Sequence, residues 1–158
     1  MAWGTRNSAA ALLGAATLGV SMASADSAAG QDPYSRLSTA NAVVLAVKAE
    51  AAEGAPVRLT VYDNAATFLE LPASRHQATI GEDGLAVVRV PGLKAGEYSI
   101  VAYVDENGDG KLNRNVVGKP KEPYIFSNDV KPKLKKPSFD ETKVSVSPGE
   151  VVVLTIPG

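Results

Sequence analysis

One stretch of the chain places oxygen-bearing side chains at alternate positions, a spacing that suits a metal ion. After an apolar run that ends at Val104, the sequence continues with Asp105, Asn107, Asp109 and Gly110. Side-chain oxygens two residues apart on a tightly curled loop can converge on one hard cation, and the glycine supplies the sharp turn found at position 6 of calcium loops. We refer to residues 105–113 as the acidic loop. Its spacing predicts a calcium site.

The remaining ligand positions are only partly filled. Lys111 offers its backbone carbonyl at position 7 and Asn113 its side-chain amide at position 9, but Val116 stands at position 12, where a complete loop has a bidentate carboxylate. Glu122 is the nearest carboxylate that could replace it. The predicted metal ligands are therefore Asp105, Asn107, Asp109, Lys111, Asn113 and Glu122. With this incomplete set we expect the weak affinity of extracellular modules, roughly 10⁻⁴ to 10⁻³ M.

The same residues also suit a turn that binds no ion. Asn107-Gly108 and Asp109-Gly110 are both favoured turn dipeptides, and clusters of this composition commonly follow strands. Lys111 also places positive charge beside the expected cation. A calcium loop and a plain turn between strands therefore both remain open.

Catalytic groups are scarce in this sequence. The chain has no cysteine and a single histidine, His76, which is expected at the surface and has no Gly-x-Ser-x-Gly motif near it. The absence of cysteine excludes a disulfide framework, a thiolate metal site and a cysteine nucleophile. We therefore expect a protein that is not an enzyme and has no catalytic residues. The alternative is a calcium-dependent hydrolase or a glycan-active accessory enzyme that uses the loop carboxylates.

Short β-type segments must position the acidic loop. Apolar and polar residues alternate in them, and glycine- and proline-containing turns separate them. The six segments are Asn41–Ala49, Val57–Asp63, Leu85–Val90, Tyr98–Val104, Lys143–Ser147 and Glu150–Ile156. Residues 66–76 suit either a short strand or one helical turn. The pattern predicts an all-β fold, an immunoglobulin-like or transthyretin-like antiparallel β-sandwich of about seven strands.

The N-terminal residues predict export. A polar start with one charge, Arg6, precedes an apolar run over residues 9–20 and then Ala23-Ser24-Ala25, which is the order of a secretory signal peptide and its cleavage site. The apolar run is shorter than the roughly 20 residues that span a bilayer. We expect residues 1–25 to be a signal peptide, residues 26–38 a flexible leader, and residues 39–158 a single domain. The mature chain would be periplasmic or secreted, and not an integral membrane protein.

A long proline-rich connection follows the acidic loop. Residues 111–143 contain nine Lys or Arg against four Asp or Glu, and four prolines. Connections of this length are usually functional or disordered, but the aromatic residues Tyr124, Phe126 and Phe139 favour a loop that folds back onto the domain. Residues 130–139 suit a solvated loop or a contact with an anionic envelope component. Nucleic acid is not an expected partner of an exported protein.

The order of motifs in this region resembles a family of secreted bacterial proteins, domain of unknown function 2141. Its pattern is Asp-x-Asn-x-Asn-Gly-x-Leu-Asp after a strand, then Gly-x-Pro-x-Glu, Phe-Ser-Asn and Pro-x-Phe. The matching residues are Asp105, Asn107, Asp109, Gly110, Leu112, Gly118, Pro120, Glu122, Phe126, Ser127, Asn128, Pro137 and Phe139. The chain departs from the pattern at Asn113, where Asp is usual, and at Pro123 and Ile125, where Gly is frequent.

This resemblance implies a small sandwich exported across the inner membrane of a Gram-negative bacterium, with the acidic loop and the Glu122 segment acting as one unit. It implies no particular activity. We therefore predict a non-catalytic module with a binding or structural role, stabilised by weakly bound calcium. In this prediction the occupied loop fixes the proline-rich segment as a contact surface for an unidentified protein or an envelope glycan.

Overall fold

The computed structural model describes residues 33–51, 53–132 and 135–157, and within them the chain forms eight strands. The predicted signal peptide and most of the predicted leader lie outside these residues. The strands are β1 (Ala42–Ala49), β2 (Pro56–Tyr62), β3 (Ser74–Thr79), β4 (Leu85–Pro91), β5 (Gly96–Val104), β6 (Tyr124–Phe126), β7 (Lys143–Val146) and β8 (Val151–Ile156). The described helical elements are one α-helical turn, α1 (Phe139–Thr142), and 3₁₀ turns at Ser35–Leu37 and Ala65–Thr67.

The strands form two sheets, which confirms the prediction of an all-β sandwich. The smaller sheet has the order β4-β1-β8, and the larger has the order β3-β2-β5-β6 with β7 also paired to β5. The pairs are antiparallel except for β1 with β8, which is parallel. Each of the six predicted segments corresponds to one observed strand, and the observed ends lie within two residues of the predicted ends.

Alternate residues of the two sheets form one apolar core. Leu45 of β1, Leu59 of β2 and Ile100 of β5 are fully buried in it, and Leu154 of β8 is almost so. Because successive side chains of a strand point to opposite faces, this core fixes which residues of β2 and β5 face outward. Asp105 follows β5 on the outward side.

The outer face of the larger sheet carries a second apolar cluster. Tyr62, Val101, Phe126 and Phe139 are buried together there. Phe68 makes edge contacts with three of these rings, with centroid distances of 5.2 Å to Tyr62, 6.4 Å to Phe126 and 5.8 Å to Phe139. The segment that the sequence left ambiguous therefore contains both alternatives: a 3₁₀ turn that leads into Phe68, and then strand β3.

Buried hydroxyl groups tie the proline-rich connection to this face. Ser127 Oγ accepts a hydrogen bond of 2.8 Å from the Ile100 N–H and donates to the Thr142 carbonyl. Thr142 Oγ1 lies 2.7 Å from Ser99 Oγ, and Ser138 caps α1 with Glu141 in a reciprocal capping box. The predicted long loop thus folds back onto the domain, and it includes β6 and α1, which sequence patterns did not reveal.

The described end of the predicted leader is bonded to the domain. In the described part of the predicted leader, Ser35–Leu37 forms a 3₁₀ turn and the Ser38 hydroxyl donates to the Gly149 carbonyl. No helix among the described residues is long and apolar enough to cross a membrane.

Candidate metal centre

Asp105 is a buried carboxylate at the point where β5 ends. Its side chain is 0% exposed, and its backbone N–H donates to the Pro56 carbonyl at 2.8 Å, which holds it beside β2. Its Oδ2 atom accepts hydrogen bonds from Arg58 Nε at 3.0 Å and from the Gly110 N–H at 2.9 Å. One carboxylate oxygen therefore both curls the acidic loop and pairs with a cation of the neighbouring strand.

A short hairpin brings Glu122 back to the acidic loop. The N–H of Asn115 donates to the Lys119 carbonyl at 2.8 Å, and the N–H of Lys121 donates to the Asn113 carbonyl at 2.8 Å. Glu122, 5% exposed, then accepts a 2.9 Å hydrogen bond from the Asn113 N–H through Oε2. The segment that begins at Gly118 therefore brings the Glu122 carboxylate to the end of the acidic loop. We call residues 113–121 the returning hairpin.

The strand register makes Glu122 the neighbour of Asp105. In the β5–β6 pair Tyr103 lies opposite Tyr124, and the Val104 N–H donates to the Pro123 carbonyl at 3.0 Å, which continues the same register. Extended by one residue beyond Val104 and Pro123, the same register sets Asp105 opposite Glu122. In antiparallel strands such opposed side chains have Cβ atoms about 4.5–5.5 Å apart.

Each of these two carboxylates has one oxygen without a hydrogen-bond partner. Among the described residues, the buried side-chain atoms that lack a partner are Thr39 Oγ1, Asp105 Oδ1 and Glu122 Oε1. A buried polar atom that forms no hydrogen bond costs about 1–3 kcal/mol, and more if it is charged. Arg58 pairs with Asp105, and none of the ion pairs found among the described residues involves Glu122. A bound cation would satisfy both free oxygens at once.

The other predicted ligands lie on the exposed side of the loop and bond to each other. Asn107 Oδ1 accepts from the Asp109 N–H at 3.2 Å, while Asp109 accepts from the Lys111 N–H and from Asn113 Nδ2, each at 2.9 Å. Hydrogen bonds to the Asp109 carboxylate lower its pKa. The Asn113 amide has the largest effect and the Lys111 N–H the next largest. Asn113 Nδ2 also lies 3.4 Å from the Lys111 carbonyl oxygen.

The six predicted ligands therefore form two groups. Within the described ranges, no three His, Cys, Asp or Glu side chains lie close enough together to hold one metal ion. Asp105 and Glu122 are the buried pair and the other four residues bond to one another, while the Asn113 N–H donates to Glu122 and so links the two groups. A cation in this loop would be held by two carboxylates, with carbonyl, amide or water oxygens completing its coordination.

Two residues at the site were not found from the sequence. Arg58 of β2 and Tyr103 of β5 lie opposite each other on neighbouring strands, and both face the acidic loop. Burial and then the charge of Asp105 raise the pKa of Tyr103, Glu122 and Asp109 act in the same direction, and Arg58 opposes them. Sequence spacing could not reveal Arg58, because its place depends on β2 pairing with β5.

His76 is half-buried on edge strand β3, so the expectation of an exposed histidine was wrong. Its ring faces the interior side because it is paired with Leu59, a core residue. His76 Nε2 lies 2.9 Å from Ser74 Oγ, and burial lowers the pKa of the imidazole. Among the hydrogen bonds of the described residues, none joins His76 to a carboxylate. The Ser74–His76 pair therefore lacks the carboxylate that is the third member of a hydrolytic triad.

Fold and site together define a small β-sandwich module in which a returning hairpin closes an acidic loop. The chain belongs to the family described as uncharacterized protein conserved in bacteria (DUF2141), whose profile matches residues 46–153. The matched range includes the acidic loop, the returning hairpin, the Ser127 anchor and α1, which confirms the resemblance drawn from the motifs. No curated protein matches the sequence closely enough to count as a relative.

Proposed function

We propose that this chain is a non-catalytic exported module with a binding or structural role, and that it holds a calcium ion weakly between Asp105 and Glu122. The observation that carries the metal site is the pair of buried, unpartnered oxygens, Asp105 Oδ1 and Glu122 Oε1. Adjacent buried carboxylates with an unpartnered oxygen each are unfavourable unless a cation compensates them.

The donor atoms favour calcium over a transition metal. Carboxylate, carboxamide and carbonyl oxygens surround the site, and hard oxygen ligands suit calcium, which accepts irregular geometry and water ligands. The chain has no cysteine, and its one histidine, His76, lies on β3 at the opposite edge of the larger sheet. Two carboxylates without a closing bidentate residue on the loop correspond to a weak site, roughly 10⁻⁴ to 10⁻³ M.

In this proposal calcium secures the returning hairpin. Glu122 directly follows that hairpin and Asp105 begins the acidic loop, so an ion bound by both would connect the two segments. We propose that the ion secures the hairpin and not the proline-rich connection, because the hydrogen bonds of the acidic loop run to the hairpin, whereas Ser127 and α1 hold the proline-rich connection. The binding or structural role proposed for the module therefore centres on the hairpin side of the domain.

Thermal unfolding with calcium or with a chelator tests the metal site. At about ten times the dissociation constant, calcium should stabilise the fold by about 1.4 kcal/mol. For a domain of this size that corresponds to a rise in melting temperature of about 4 °C. Asp105→Asn and Glu122→Gln keep the side-chain shapes and should lose the shift. An unchanged melting temperature of the parent protein at millimolar calcium would refute the site.

Glu106→Gln is the matched control. Glu106 is an exposed acid in the same loop at a position that supplies no ligand, so the substitution makes the same charge change. It should retain the full calcium shift. If it abolished the shift as Glu122→Gln does, the effect would be one of loop charge alone.

A panel of ester, phosphate and glycoside substrates tests the non-catalytic part of the proposal. We expect no turnover. Turnover that disappears in Ser74→Ala or His76→Gln would instead identify the 2.9 Å hydroxyl–imidazole pair as a hydrolytic site. Turnover that depends on calcium and is lost in Asp109→Asn would indicate the calcium-dependent hydrolase or glycan-active enzyme.

A further inference from the structure

A cleft of about 810 Å³ lies on the outer face of the larger sheet, between the returning hairpin and the proline-rich connection. Residues of the two central strands line it, among them Tyr62 of β2 and Tyr103 of β5, together with Tyr124 of β6. Its volume lies within the range of about 300–1,000 Å³ that is usual for small-ligand sites. We call it the outer cleft.

Among the described residues that line the outer cleft, the charged side chains are all positive. The hairpin contributes Arg114 and Lys119, the proline-rich connection contributes Lys135 and Lys136, and no Asp or Glu is among the described residues that line it. None of the four ion pairs found in the described ranges involves these side chains. Arg114 donates one hydrogen bond, to the Gly118 carbonyl at 2.9 Å. The cleft is therefore electrostatically complementary to an anion.

The aromatic residues of the cleft supply flat apolar surfaces together with hydroxyl groups. The hydroxyl groups of Tyr62, Tyr103 and Tyr124 can each donate and accept a hydrogen bond. Aromatic rings with polar tips suit ligands that have an apolar face edged with hydroxyl groups, as sugar rings do.

The geometry of the sheet disfavours an extended peptide as the occupant. A peptide that adds to a sheet needs an open strand edge. Thr60 of β2 and Val101 of β5 line the cleft, and each lies in a strand that is paired on both sides at that position. Recognition over the two central strands must therefore come from side chains, namely cations and tyrosines; β6, which also lines the cleft, is an edge strand of the sheet.

We propose that the outer cleft binds a short acidic oligosaccharide, with its carboxylates on the four cations and its sugar rings on the tyrosines. This inference rests on the binding role proposed above and names its ligand class. It does not depend on the metal site, although the returning hairpin that Glu122 anchors forms one wall of the cleft.

Calorimetric titration of the full chain with trigalacturonate tests the proposal, with neutral maltotriose and triglutamate as matched ligands. Trigalacturonate should bind, its affinity should fall as ionic strength rises, and maltotriose should bind at least tenfold more weakly. Tyr124→Leu should weaken binding roughly 3- to 10-fold. Lys135→Gln and Lys136→Gln should each weaken it roughly 2- to 5-fold.

Lys48→Gln is the control for these substitutions. Lys48 is an exposed cation on β1 of the smaller sheet, so its loss makes the same charge change away from the cleft and should leave trigalacturonate binding unchanged. Three results would overturn the proposal: no binding of trigalacturonate at millimolar concentration, equal binding of maltotriose, or tighter binding of triglutamate. Binding to phosphatidylglycerol vesicles that trigalacturonate does not compete for would likewise reject a saccharide cleft.

The calcium melt, measured on the same samples, separates this inference from the metal site. The cleft variants should keep the calcium shift of the parent protein, which also shows that they are folded. Loss of saccharide binding with an intact calcium shift in Lys135→Gln and Tyr124→Leu supports the cleft. Saccharide binding should persist when Asp105→Asn has removed the calcium shift, and a missing calcium shift in the parent protein would refute the metal site and not the cleft.

Discussion

Asp105 and Glu122 are neighbours across the end of the β5–β6 pair, and each uses one carboxylate oxygen for the fold while the other is buried without a partner. Asp105 Oδ2 accepts from the Gly110 N–H and Glu122 Oε2 from the Asn113 N–H, so these two oxygens shape the loop and hold the hairpin. The remaining two have no structural use among the described residues. This division motivates the metal site, and it also makes the role of Arg58 testable.

Replacing Arg58 with Met should make the protein less stable in chelator and more responsive to calcium. The substitution removes the cation that pairs with Asp105, whose side chain is fully buried, and leaves that charge uncompensated. Because the Arg58 side chain is partly exposed, we expect a loss of about 1–3 kcal/mol in urea unfolding with chelator. Calcium should restore part of it, since the ion then supplies the missing charge.

Arg58→Lys is the control for this effect. It keeps a positive charge, although without the planar geometry of the guanidinium, and should fall between the parent protein and Arg58→Met in both measurements. Equal stability of the parent and Arg58→Met in chelator would show that the ion pair contributes nothing.

Gly110→Ala should destabilise the acidic loop more than Gly108→Ala does. Both glycines have positive φ, +77° and +71°, so an alanine at either position incurs a backbone cost of about 1–2 kcal/mol. At Gly110 the added Cβ would also lie 3.4 Å from Arg58 Nη2, whereas at Gly108 nothing lies within 4 Å. Denaturant midpoints of the two variants give the difference directly. Identical midpoints would mean that Arg58 moves aside without cost.

Ser127→Ala should loosen the proline-rich connection. The substitution leaves the Ile100 N–H without its acceptor and the Thr142 carbonyl without its donor, both in a buried place. We expect a loss of about 1–3 kcal/mol in the free energy of unfolding and faster proteolysis between β6 and β7. Ser145→Ala, at an exposed position of β7, should change neither quantity. Unchanged proteolysis of Ser127→Ala would show that other contacts suffice to hold the connection.

His76 should contribute a pH dependence to stability in mildly acidic solution. Burial lowers its pKa below the usual 6.5, so the unfolded chain takes up the proton first. This contribution to stability is therefore complete above about pH 6.5 and is lost as the pH falls through the folded-state pKa. The pKa values of Asp109 and Glu141 are also lowered, but those carboxylates titrate in more acidic solution.

Urea unfolding at a series of pH values measures this contribution. His76→Gln can still bond to Ser74 and should flatten the fall in stability just below neutral pH. If the parent and variant show the same slope there, the histidine is solvated equally in both states.

Sequence patterns predicted those strands that have a strong apolar alternation, such as β2, where Val57, Leu59 and Val61 enter the core. Strand β3 was hidden because it lies at an edge and its residues are mainly polar, Ser74 to Thr79. Strand β6 is three residues long within a proline-rich stretch, and its existence depends on pairing with β5. Local composition carries no information about such tertiary pairing.

The site was predictable to a similar extent. The alternate spacing indicated Asp105 and the motif order indicated Glu122, the two residues on which the proposed site rests. Arg58 was not predictable, since it reaches Asp105 only through the order of strands in the sheet. The two unpartnered oxygens could not be predicted, because they are unpartnered only where the surrounding fold shields them from water.

The parallel pairing of β1 with β8 sets the order in which the domain can be completed. Val44 in the first strand is opposite Val151 in the last, so the central strand of the smaller sheet gains its second neighbour from the end of the chain. Until β8 has emerged, one edge of β1 has no partner and the core stays open. For a chain that crosses a membrane before it folds, as the proposed export requires, this topology would delay closure of the sandwich until β8 has been translocated.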